Sequence, residues 1–227
     1  MIKPLAIYRC SGIATLELAL MTVMLGTLII GGFAMSSFMQ RAYRLGVSLD
    51  KNLHADQIRP LKFIASTDGV SLQTDPEALR QLITALADQV EIDAFQTEAH
   101  DRYLVEASYA LLELDPQTGN IRTQRPGEFI RRGNLVLPSA VAAQTDLGAM
   151  FAARARETLP AGNSPYATPF NDPNLALGTG YLPYALLIGA RAVLSVEDQL
   201  SGRVYAAFGG EPYVLGARVT PVRGEVR

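Results

Sequence analysis

Residues 13 to 35 read IATLELALMTVMLGTLIIGGFAM, 23 residues from Ile13 to Met35 with a single charge at Glu17. As an α-helix at about 1.5 Å per residue the stretch is about 35 Å long, enough to cross a hydrocarbon core of about 30 Å with some tilt. A helix inside a small water-soluble domain keeps a polar face, and this one has none over that length. The stretch therefore predicts a transmembrane helix over 13–35, with a leader (1–12) before it and the bulk of the chain after it.

The leader, MIKPLAIYRCSG, carries Lys3 and Arg9 and no acid. A secretory signal peptide would use such a basic start, but its apolar region is shorter, about 7–15 residues, and ends at a small-x-small cleavage site. Ala34-Met35-Ser36 is the nearest candidate for that site. A lipoprotein signal fails because Arg9, not an apolar run, precedes Cys10, which reads as a passive thiol. Lys3 and Arg9 before the span are balanced by Arg41, Arg44 and Lys51 after it, so the positive-inside count does not orient the chain.

Gly12 ends the basic leader and Glu17 falls at the fifth position after it. This resembles the class III signal of type IV pilins and pseudopilins, in which prepilin peptidase cuts after a glycine and a glutamate stands at the fifth position of the mature chain. Ser11-Gly12 followed by Ile13-Ala14-Thr15-Leu16-Glu17-Leu18-Ala19-Leu20 looks most like the TadE-like branch, the minor pseudopilins of tight-adherence (Flp-type) pilus machinery. Leu16 and Leu18 replace that family's usual valine and phenylalanine. Ile13 and Ala14 differ from the Phe-Thr start of type II secretion pseudopilins. The resemblance covers roughly residues 9 to 35.

The resemblance implies a processing site at Gly12-Ile13 and an N-terminal amine on mature Ile13 that pairs with Glu17 of a neighbouring subunit. It also implies an inner-membrane location, with the N-terminus cytoplasmic and the bulk of the chain periplasmic, possession of no cofactor or metal, and a role in pilus assembly. The implied partners are prepilin peptidase, other pilins or pseudopilins, inner-membrane platform proteins and membrane lipid.

The residues alone allow a simpler account of Glu17. A carboxylate in lipid costs a few kcal/mol and ordinarily has a partner. In the first helical turns, however, it favours the positive end of the helix dipole and can reach the interface. The spacings Thr22-xxx-Gly26, Thr27-xxx-Gly31 and Gly32-xxx-Ser36 would permit close helix contacts.

Beyond the span, residues 36–60 predict a helical stem with Phe38, Tyr43, Val47 and Ile58 among its apolar positions and Pro60 as its limit. Residues 61–227 predict an α+β domain with an antiparallel sheet. Thr67–Thr74 reads as a loop, and Asp75-Pro76-Glu77 opens a helix to about residue 91. Residues 102–114 read as a strand, 115–120 as a turn, and 121–124 and 129–137 as short strands. Ser139 is expected to cap a helix running to about Glu157. Residues 159–183 hold five prolines and three glycines and read as a long loop, loosely ordered or binding. Tyr184–Val196 and Val204–Val222 read as strands, with turns at Ser201-Gly202 and Gly209-Gly210.

Composition narrows the function. With 20 basic against 22 acidic residues the chain lacks the positive excess that nucleic-acid binding requires. One cysteine excludes both an internal disulfide and a multi-cysteine zinc site. No phosphate-binding loop, HExxH or GxSxG motif is present. His100-Asp101, the Glu91 and Asp93 pair, and Arg131-Arg132 are the polar clusters closest to chemistry, and each reads as solvated surface. The chain is therefore not expected to be an enzyme. Three readings remain: a TadE-like structural component, an uncleaved single-pass protein with a periplasmic binding or scaffolding domain, and a periplasmic hydrolase.

Overall fold

No proline interrupts the chain between Pro4 and Pro60, and in the computed structural model Tyr8–Asn52 forms one 45-residue helix, α1. The structure describes residues 8–54, 62–66, 69–72, 76–95, 102–171, 179–222 and 225–226. Ile58 and Pro60 of the expected stem, and the pair His100-Asp101, lie outside them. After α1 come β1 (Lys62–Ser66), β2 (Gly69–Leu72), α2 (Pro76–Phe95), β3 (Tyr103–Leu114), β4 (Ile121–Pro126) and β5 (Ile130–Gly133). They are followed by α3 (Ser139–Gln144), α4 (Leu147–Ala155), β6 (Pro169–Asn171), β7 (Thr179–Tyr181), β8 (Tyr184–Ser195), α5 (Leu200–Ala207), β9 (Tyr213–Val222) and β10 (Glu225–Val226). The fold class is α+β, as the sequence predicts.

The chain forms two compact units, Met1–Arg41 with Val196–Pro212, and Ala42–Ser195 with Tyr213–Arg227. The second is built on a five-stranded antiparallel sheet ordered β4-β3-β8-β9, with β5 pairing the other half of β3's edge beside β4. The central strands β3 and β8 pair along their length, from Tyr103↔Leu194 to Glu113↔Tyr184. Alternate residues point to opposite faces. Leu112, Leu114 and Leu187 pack on Leu147 and Phe151 of α4, and Leu104 and Val193 on Val141 of α3. The opposite face carries Tyr103, whose ring stacks on Phe95 of α2, and Arg132, whose Nε donates to Asp88 of α2 at 2.7 Å. On that face the end of α1 also lies close to β9: a Cβ at Gly216 would stand 2.1 Å from Leu45 and 2.9 Å from Leu49.

Leu45, Ser48, Leu49, Asn52 and Leu53 are the buried stripe of this end of α1, while Tyr43 and Val47 are exposed. Residues 42–52 thus belong to the sheet unit. The junction with α2 is polar. Asp93 accepts hydrogen bonds from Asn52 Nδ2 at 2.9 Å, Lys51 Nζ at 3.0 Å and Gln89 Nε2 at 3.2 Å. On the α3 side, Arg191 of β8 meets its cross-strand neighbour Glu106 at 2.6 Å, both side chains nearly buried, and its second amino group donates to the Ala142 and Thr145 carbonyls.

Several expectations need correction. Residues 69–72 are not loop but strand β2, which turns back on β1 as an antiparallel pair; β1 also pairs β10 in parallel, so this small sheet is mixed. The expected helix from Ser139 to Glu157 is two helices. Ser139 is the first helical residue of α3, without a side-chain cap, and the chain restarts at Asp146, whose carboxylate accepts from Gly148 N. The 159–183 segment is partly pinned: β6 pairs β7, Ser164 N donates to the Gly119 carbonyl and Tyr181 N to that of Pro116. Residues 204–207, read as strand, and Ser201-Gly202, read as a turn, lie in α5.

In the first unit, α5 hangs on the connection between β8 and β9. The connection is closed by Val196 N donating to the Pro212 carbonyl at 2.9 Å. A Cβ at Gly202 would stand 1.8 Å from the Val196 carbonyl oxygen, so only glycine admits this approach. Gly209 ends the helix in the left-handed region at φ 80°. Tyr205 of α5 stacks on Phe38 of α1, ring centroids 4.6 Å apart.

Two predictions concern the sheet unit. Arg191→Met leaves the Glu106 carboxylate nearly buried without its cation, and should destabilise the unit by about 3–5 kcal/mol in urea unfolding of the detergent-solubilised chain. Adding Glu106→Gln should restore much of the loss. Asp93 is held below its ordinary carboxylate value of 3.8, chiefly by the Asn52 hydrogen bond and then by Lys51. Its contribution is therefore present at neutral pH and lost as pH falls through the lowered native value. Asp93→Asn should cost about 1 kcal/mol at pH 7, and its difference from the wild type should shrink as the pH drops below 3.8.

Candidate functional site

Gly12, Ile13 and Glu17 all lie on α1. The helix begins at Tyr8, so it runs without a break through the Gly12-Ile13 bond. Ile13 and Glu17 are four residues apart, which places them on one face about 6 Å apart along the axis. The Glu17 side chain is exposed, among exposed Leu16, Leu18, Leu20 and Met21. No Lys, Arg or His lies within four residues of it on either side.

The helix around this carboxylate is built to present hydrocarbon. In its most apolar eighteen-residue window only 6% of residues are buried. Its hydroxyls turn inward on the backbone: Thr22 Oγ1 donates to the Leu18 carbonyl at 2.7 Å and Thr27 Oγ1 to that of Met24 at 2.8 Å. That leaves neither hydroxyl needing an external partner. Of the glycines in the small-residue spacings, Gly26, Gly31 and Gly32 each have open space where a Cβ would stand. By length and composition α1 is able to cross a membrane.

Among the described residues, the other two polar clusters are not assembled into a reactive site. Glu91 and Asp93 sit two positions apart on helical α2, and so on different faces. Glu91 accepts from the Tyr103 hydroxyl and Asp93 serves the α1–α2 junction. Arg131 and Arg132 lie on strand β5, not a turn, and are engaged internally with the Leu135 carbonyl and Asp88. Among the described residues no group of three His, Cys, Asp or Glu side chains could hold a metal ion.

A cavity of about 290 Å³ is lined by Tyr166, Thr168, Tyr184, Pro221 and neighbours, with no charged side chain among them. Burial, and the hydrogen bond it donates to Glu157, push the Tyr166 phenol up to about 12, so it remains protonated and cannot serve as a base near neutral pH.

Sequence reasoning did not single out the apolar residues of α5. Leu200, Val204 and Phe208 recur every four residues and end at Gly209-Gly210, which is a helical signal closed by a glycine stop. Read as a strand, the segment concealed that surface. Comparison with protein-family models, with curated proteins and with solved structures finds no match for this chain.

Proposed function

We propose that the chain is a minor pseudopilin-like structural component that takes part in assembling a tight-adherence (Flp-type) pilus at the bacterial inner membrane. In this reading α1 crosses the membrane over 13–35, the N-terminus is cytoplasmic, the sheet unit is periplasmic, and prepilin peptidase cuts between Gly12 and Ile13. The observation that carries the reading is Glu17. It is an exposed carboxylate on an apolar helix that the described residues leave uncovered, at the fifth position after Gly12. Such a charge costs about 2.5–3.5 kcal/mol at mid-span, somewhat less near the start of a helix, and a cation on a neighbouring subunit would offset it. Cleavage after Gly12 creates that cation one helical turn away from Glu17 in its own chain and within reach of an adjacent one. The remaining support is the Gly12–Leu20 pattern and the self-satisfied hydroxyls of the span.

A second reading is favoured by one observation. Peptidases act on extended backbone, and α1 is helical on both sides of the Gly12-Ile13 bond. An uncleaved single-pass protein with a periplasmic binding or scaffolding domain would keep that helix whole.

Intact-mass measurement of the protein from a host carrying the matching peptidase separates the two. A mature chain beginning at Ile13 is expected; Met1 still attached supports the uncleaved anchor, and a start at Ser36 or later means an ordinary signal peptide. For assembly, Glu17→Gln should stay in the membrane and be cut at least in part, yet fail to restore surface pili to a deletion strain. Normal piliation with Glu17→Gln would reduce the carboxylate to a helix-start residue and remove the main support for the pseudopilin reading.

A further inference from the structure

We propose that the connection between β8 and β9, Val196–Pro212, is a second membrane-contacting element, whose helix α5 lies in lipid beside the outer end of α1 with Leu200 and Phe208 against acyl chains. The inference rests on the reading that α1 spans the bilayer, and it does not depend on pilus assembly.

Depth carries the argument. A groove of about 560 Å³ runs between the two helices, with Thr27, Gly31, Gly32 and Met35 on the α1 wall and Val204 and Phe208 on the α5 wall. Those α1 residues lie inside the 13–35 stretch. A helix that shares a groove with them is at the same depth, so α5 reaches into the hydrocarbon if α1 crosses it. The ring stack of Tyr205 on Phe38 marks the other end of the contact, three residues beyond Met35. That is the level at which aromatic side chains with a polar tip gather at membrane interfaces.

Composition agrees with that depth. The eight residues of α5, LSGRVYAA, contain one charge, Arg203. The acids of the connection, Glu197, Asp198 and Glu211, fall near its two ends, where it leaves and rejoins the strands. Phe208 is 85% exposed, more than any other large apolar residue described, and Leu200 is 60% exposed. On α1, Leu28 and Phe33 are exposed as well, and Leu28 lines the same groove as Phe208. Exposed together in water, such residues would form an apolar patch with no compensating contact. A short amphipathic element with a long basic side chain is instead suited to the acyl–headgroup boundary, with Arg203 extending toward lipid phosphate. The occupant of the groove must also be apolar, because the Thr27 hydroxyl is already bonded to its own backbone and Gly31 and Gly32 offer only open space. An acyl chain meets that requirement.

The chain contains no tryptophan, so a single introduced indole reports on its own position. The full-length Phe208→Trp variant, reconstituted into phosphatidylcholine–phosphatidylglycerol vesicles, should emit at shorter wavelength than indole in water. It should be quenched by brominated acyl chains and protected from aqueous iodide. Leu200→Trp reads the same surface from the other end of α5 if Phe208→Trp fails to fold. Leu25→Trp, in the middle of the span, and Phe129→Trp, on the exposed β4–β5 link, serve as lipid and water references. Iodide quenching at position 208 with bromolipid quenching at 25 would overturn the inference and leave the span intact. A blue-shifted indole at 208 that bromolipid does not quench, and that depends on the protein-to-lipid ratio, would overturn it in favour of a second protein chain as the occupant. Iodide quenching at 25 would show that the span reading itself fails, and this inference with it.

Discussion

The constraint on which the rest of the structure depends is that α1 presents an apolar surface the chain does not cover. Leu16, Leu18, Met21, Leu28 and Phe33 are each at least two-thirds exposed. Burying a side chain of this size is worth about 1.5–3 kcal/mol, so leaving a row of them in water would outweigh the whole stability of a typical domain. The described residues of this chain leave that surface uncovered. A bilayer would cover it, and there Thr22 and Thr27, bonded to their own backbone, would need no outside partner. In water those hydroxyls would have had partners in any case.

The change in environment occurs along α1 itself. Up to Arg41 the helix belongs to the apolar unit. From Ala42 its burial follows the ordinary amphipathic rule, with Leu45, Leu49 and Leu53 inside and Tyr43, Val47 and Asp50 outside. The sheet against which this end packs is covered on both faces, by α2 and the end of α1 on one side and by α3 and α4 on the other. That is why polar groups inside it are paired so closely. Glu106 and Arg191 meet on neighbouring central strands, and Arg191 also holds the carbonyls at the end of α3, so one side chain joins a strand pair to a helix end.

The same double coverage decides what could be read in the sequence. The long helix was legible from its unbroken apolar run and α2 from the helical spacing of its apolar residues, because each is a sustained pattern. β8, YALLIGARAVLS, has lost the alternation of a one-sided strand since both its faces are buried, and it was recognised by its β-branched and apolar content. Breaks were less legible. Asp146 restarts a helix in a stretch whose apolar spacing continues through it, and α5 is too short for a period of 3.6 to stand out from a period of 2. β2 escaped because a four-residue strand after a turn resembles a loop until its partner β1 is known. At the candidate site the legible part was the order of residues, Gly12, Ile13 and Glu17. What the sequence alone did not convey was that α1 begins ahead of Gly12 and that α5 shares a groove with its far end.

The carboxylates of this chain show how differently one functional group can be accommodated. Glu106, nearly buried, has Arg191 across the strand pair; Asp93 has Asn52 and Lys51; Asp115, at a turn, has Arg122 at 2.8 Å. Each is matched by a donor that the fold itself brings close. Glu17 differs in kind. It is on a helix whose surface is otherwise hydrocarbon, with no basic residue within four positions, and a straight helix offers a side chain only those positions as neighbours. A matching charge from outside the helix is therefore the arrangement that fits the residue, supplied either by headgroups at the interface or by the amine of another subunit. Headgroups would serve a glutamate at any position near the interface equally well. Under the pseudopilin proposal a subunit amine would require it at one distance from an N-terminus made by cleavage after Gly12, and that positional demand would link Glu17 to Gly12 instead of merely to the interface.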